Sequence, residues 1–91
     1  MLQLRKKPDI WSALLELVPI ARSKTIACIV KKKDELYIGW SEDLSPDAIV
    51  ELQNFSIVLL IIDGKPTRSE LSDAERTYWS ERVRESNAWL N

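Results

Sequence analysis

Read for its apolar and polar positions, the chain centres on Ser56–Asp63, Ser-Ile-Val-Leu-Leu-Ile-Ile-Asp. Six consecutive large apolar residues, rich in β-branched types and too short for a core helix, predict a strand buried on both faces. Such a strand requires packing layers on both sides of its sheet, which points to an α/β (α+β) domain. Upstream, Ile10, Trp11, Leu14, Leu15 and Val18 form a helical stripe, which starts near Pro8-Asp9 and ends or kinks at Pro19.

Thr25–Val30 and Glu35–Trp40 flank the polar turn Lys32-Lys33-Asp34 and predict a β-hairpin. A three-residue loop pairs Lys31 with Glu35 and Val30 with Leu36. It gathers Ile26, Cys28, Val30, Leu36, Ile38 and Trp40 on one face and Ala27, Ile29, Tyr37 and Gly39 on the other. A slip by one residue would mix Lys31 into the apolar face, and the first register is preferred.

Ser45 caps a second helix with Pro46 in its first turn, running to about Asn54 with Ala48, Ile49, Leu52 and Phe55 inward. The crossover to strand 57–62 makes that strand parallel in direction to 35–41. Asp63-Gly64-Lys65-Pro66 reads as a turn. Ser72-Asp73-Ala74-Glu75 is a capping box opening a helix to about Leu90, with Asp73–Arg76, Glu81–Arg84 and Arg82–Glu85 as ion pairs. The expected order is α-β-β-α-β-α: a small three-stranded mixed sheet packed by three helices. A short fourth edge strand at residues 1–5 is allowed by the alternation of Met1–Leu4.

Composition then narrows the chemistry. The chain has 91 residues, enough for a single globular domain over 1–91. It has no histidine, which removes Ser-His-Asp and Cys-His catalysis and the usual zinc sites. Two glycines, Gly39 and Gly64, cannot build a phosphate loop. Cys28 reads as a small buried hydrophobe in a reduced, cytoplasmic protein. No apolar run of membrane-spanning length and no secretory leader is read.

Charge is unevenly spread. Residues 1–33 carry eight Lys/Arg against Asp9 and Glu16, a net +6, while residues 34–91 carry a net −7. Three surfaces follow. Glu42, Asp43 and Asp47, with Asp73, Glu75 and Trp89, form a candidate protein-binding set. Lys31, Lys32 and Lys33, with Arg5–Lys7, Lys24 and the aromatic Tyr37 and Trp40, form a candidate nucleic-acid contact. Glu42, Asp43 and Asp63 follow strand ends where a Mg²⁺-dependent hydrolase would place carboxylates.

The leading expectation is a non-enzymatic protein-interaction module: a small adaptor, regulator or inhibitor binding a protein or a second copy of itself. No catalytic residue, metal ligand set or cofactor is assigned. The nucleic-acid reading is the alternative, and the hydrolase stands third.

Overall fold

The computed structural model describes the backbone of residues 1–90 and the side chains of residues 1–86. Eight elements follow one another: β1 (Gln3–Lys7), α1 (Ile10–Ser23), β2 (Ile26–Lys32), β3 (Glu35–Ser41), α2 (Pro46–Leu52), β4 (Ser56–Ile62), β5 (Lys65–Ser69) and α3 (Asp73–Leu90). The strands form one five-stranded sheet in the order β1-β3-β2-β4-β5, and every neighbouring pair is antiparallel.

The α+β class and the three helices agree with the sequence reading, whereas the three-stranded mixed sheet does not. The allowed edge strand at the start of the chain forms as β1. The segment after Asp63-Gly64 is a further edge strand, β5, that the reading missed. β3 and β4 run in the same direction, as expected, but β2 lies between them and pairs with both, so the two form no parallel ladder with each other.

The β2–β3 register is the rejected one. Lys32 pairs with Glu35, Ile29 with Ile38, Cys28 with Gly39 and Ala27 with Trp40. The loop is two residues, Lys33 and Asp34, both left-handed with φ of 51° and 63°. Two-residue loops of this hand match the right-handed twist of the strands they join. Lys31 does enter the apolar face, but at the exposed strand end, where its ammonium stays in water and the objection to this register loses its force.

The helices divide between the two sheet faces. α1 covers one, burying Ala13, Leu14, Leu17, Val18 and Ala21 against Ala27, Ile29, Ile38, Leu59 and Ile61. This arc differs from the expected stripe: Leu14 and Val18 are buried, but Trp11 and Leu15 are 44% and 54% exposed. Ala13 and Ala21 carry the least bulk, so the helix turns them to the sheet and approaches closely. Fully burying each of Leu14 and Leu17 is worth about 1.5–3 kcal/mol, more than the cap at Asp9, whose side chain accepts from the Ser12 N–H at 2.7 Å.

α1 continues through Pro19 to Ser23 rather than ending there. The proline and Leu15, whose carbonyl loses its helical donor, both lie on the exposed side.

α2 covers the other face with Ala48 and Leu52, over Ile26, Cys28 and Val30. Ser45 caps it, accepting from the Ala48 N–H at 3.2 Å. Leu2 is buried in this layer, and its N–H donates to Glu51 Oε2 at 3.0 Å, which ties the start of the chain to α2. β4 feeds both layers: Leu59 and Ile61 face α1, while Ile57 and Leu60 face α2. α3 opens with the expected capping box, Ser72 N–H to Glu75 Oε1 at 2.9 Å and Glu75 N–H to Ser72 Oγ at 3.2 Å. It packs chiefly against α1, with Trp11 and Tyr78 edge to face at 5.3 Å.

Candidate functional site

The β1–β3 ladder aligns Lys6 with Tyr37 and Lys7 with Leu36, which brings Arg5–Lys7 to the same end of the sheet as the Lys31–Lys33 hairpin tip. The two basic clusters are therefore neighbours, but the β1 cations are engaged. Arg5 and Lys7 both pair with Glu16 of α1, and Lys6 pairs with Glu35 at 3.0 Å.

The aromatics proposed for base stacking are also engaged. The Arg5 guanidinium lies 5.4 Å from the Trp40 ring centre, and the Tyr37 hydroxyl donates to Glu35 Oε2 at 2.7 Å. That hydroxyl, followed by the Lys6 ammonium, holds the Glu35 carboxyl below the ordinary glutamate range. Lys31, Lys32 and Lys33 remain exposed without ion pairs among the described residues, with Lys32 5.8 Å from the Phe55 ring.

The acidic candidates are not gathered. Glu42 pairs with Lys24, which lowers the pKa of its carboxyl. Asp43 is fixed through its backbone, its carbonyl accepting from Ser41 Oγ at 2.9 Å. Asp47 lies exposed in the first turn of α2. Asp73 and Glu75 open α3, over the opposite face of the sheet, and Glu75 is used by the cap. Trp89 falls within α3, but its side chain lies outside the described residues.

Asp63 occupies a left-handed turn position, φ 52°, with its N–H on the Thr25 carbonyl at 2.8 Å. Thr25 Oγ1 donates to the Glu42 carbonyl at 2.9 Å, so the start of β2 separates Asp63 from Glu42. No group of three metal-ligating side chains forms among the described residues. Cys28 is buried, and desolvation pushes its thiol up to about 12, far from a reactive thiolate.

The feature that sequence reasoning missed is a groove of about 1240 Å³ between α3, the end of α1 and the β4–β5 hairpin. Its floor is Val18, Ala21, Leu59, Ile61 and Leu71, and its α3 wall carries half-buried Trp79 and Val83. The groove exists because α3 leans on α1 and because β5 presents Pro66 and Ser69 to it, neither of which fills the gap. Arg22, Lys24, Arg76 and Arg84 line its margin against one carboxylate, Asp63. The Asp-Gly dipeptide at Asp63-Gly64, a strong hairpin signal, could have revealed β5 and with it one wall.

Comparison with family models, curated proteins and solved structures found no match. No helix among the described residues is long and apolar enough to cross a membrane.

Proposed function

We propose that this chain is a non-enzymatic protein-interaction module of the reducing cytoplasm, and that it takes its partner in the α1–α3–β5 groove. The observation that carries the reading is the groove itself, where half-buried Trp79 and Val83 stand over a buried apolar floor beside a cationic margin. Interfaces draw on buried aromatic and arginine anchors, and Trp79, Arg76 and Arg84 supply that chemistry here. The acidic sets around Glu42–Asp47 and Asp73–Glu75 support it less, because Glu42 and Glu75 already have partners and the two sets lie on opposite sheet faces. Placement in a reducing compartment is supported by the single, buried thiol.

Photo-cross-linking tests the reading. A benzophenone side chain is placed at Ser80 in the groove, at Asp47 and at Lys33, each in turn, and irradiated in native extract. The expected product is a nuclease-resistant protein adduct from Ser80, with a defined mass that repeats across preparations. Adducts from Lys33 alone that nuclease destroys would replace the reading with nucleic-acid binding. Absence of a protein adduct from all three positions would sink it.

A further inference from the structure

We infer that the groove receives an amphipathic peptide segment of a protein partner, its apolar side on Trp79 and Val83 and its carboxylates on Arg22, Arg76 and Arg84. The inference rests on the reading that this groove is the partner site, and it names the chemistry of the occupant.

Three observations carry it. The first is size: about 1240 Å³, open along one side, exceeds the roughly 300–1,000 Å³ of small-molecule pockets and suits a length of chain. Arg76 and Arg84 are eight residues apart on α3, about 12 Å along the helix axis, which matches about two turns of a docked helix.

The second is charge complementarity. Four cations face one carboxylate in the lining; Lys24 is held by Glu42, which leaves the three arginines to meet a ligand's carboxylates. Arg76 reaches Asp73 at 3.6 Å in an exposed pair, which a ligand carboxylate can displace. The Glu81–Arg84 pair that the i, i+3 spacing predicts does not form, since Glu81 approaches Arg82 at 3.7 Å instead. Arg84 is thus exposed and has no ion-pair partner among the described residues.

The third is the distribution of that charge. Arg76 stands toward the start of α3, while Arg22 donates to Ser86 near the far end. A fatty acid has one anionic head and needs one cluster. Cations spread along both ends, with Trp79 and Val83 between them, fit a chain bearing several carboxylates beside an apolar stripe.

The test uses a synthetic 15-residue helical peptide with leucines at i, i+3, i+4 and i+7 and glutamates flanking them. Its Glu→Gln and Glu→Lys counterparts and dodecanoate are run in parallel. Binding is read from backbone amide shifts of the whole chain in solution. The glutamate peptide should shift α3, the end of α1 and β4–β5, the glutamine peptide should bind about tenfold more weakly, and the lysine peptide should not bind. Arg84→Glu with Arg76→Glu, both at exposed positions, should weaken the glutamate peptide by about tenfold or more and admit the lysine peptide.

Equal binding of the glutamine peptide, shifts outside the groove, or dodecanoate shifting the groove when the glutamate peptide does not would each overturn the inference. A protein adduct at Ser80 without acidic preference fails this inference alone, whereas no adduct at all fails the reading beneath it.

Discussion

Gly39 shows what one absent methyl group does in this sheet. It sits opposite Cys28 in the β2–β3 ladder, and a Cβ there would lie 2.8 Å from Cys28 Sγ and 3.1 Å from Leu4 Cδ2. The neighbours would have to move, and overpacking of a full core costs about 1–3 kcal/mol. Gly39→Ala should lower stability by that amount in urea unfolding. Cys28→Ala removes the closest atom, so the double variant should be less destabilised than the two single losses combined. Strict additivity would show that the Gly39–Cys28 contact does not limit packing. Cys28 also reports on the fold: a thiol held at about 12 and fully buried should resist dithionitrobenzoate at pH 8 until the chain unfolds. Native-state labelling at the rate of a free thiol would contradict its placement.

Among the elements, legibility followed how strongly each local signal excluded its alternatives. The capping box at Ser72–Glu75 and the Ser45 cap are side-chain-to-backbone bonds specified within four residues, and both form as read. The β2–β3 register was not legible from alternation, because both faces of β2 are apolar over Ile26–Val30 and a one-residue slip leaves the core equally filled. Turn chemistry decided it instead. β5 was hidden for a different reason: Lys65-Pro66-Thr67-Arg68-Ser69 is exposed throughout, and its proline fits only an edge strand. The groove inherits that invisibility, since one of its walls is β5 and its depth depends on the lean of α3.

The turn also yields a prediction. Lys33 and Asp34 hold left-handed backbone that Asn and Gly adopt more readily, so Lys33→Asn with Asp34→Gly should raise stability by about 0.5–1 kcal/mol. An unchanged or lower urea midpoint would mean that the loop is not held in this geometry.

At the scale of the whole molecule, folding offsets part of the charge asymmetry that the sequence displays. Arg5 and Lys7 meet Glu16 within the basic segment, whereas Lys6–Glu35 and Lys24–Glu42 join it to the acidic remainder. The carboxyls so engaged titrate below their ordinary values. Glu16 is lowered chiefly by the Lys7 ammonium, Glu42 by Lys24, and Glu35 by the Tyr37 hydroxyl and then Lys6, while Asp9 is lowered by the Ser12 N–H. A carboxyl whose pKa is depressed by folding stabilises the native state above its unfolded value, and that contribution disappears as pH falls through the folded value. The loss should therefore begin near the ordinary glutamate value of 4.5 and deepen below it. On the alkaline side, Glu35 raises Lys6 above 10.5, so that contribution persists through neutral pH and fades only as pH rises past the lysine range.

The expected urea midpoint is consequently flat from about pH 6 to pH 9 and falls below pH 4.5, with added salt reducing the fall as it screens these exposed pairs. Glu16 is the decisive position, because among the described residues it alone receives two cations from β1 onto α1. Glu16→Gln should lower the midpoint at pH 7, and its gap to the parent should close as pH falls through the depressed Glu16 value and that carboxyl becomes protonated in both states of the parent. A Glu16→Gln curve parallel to the parent through the acid limb would show that the β1–α1 charge contacts contribute nothing to holding this edge strand on the domain.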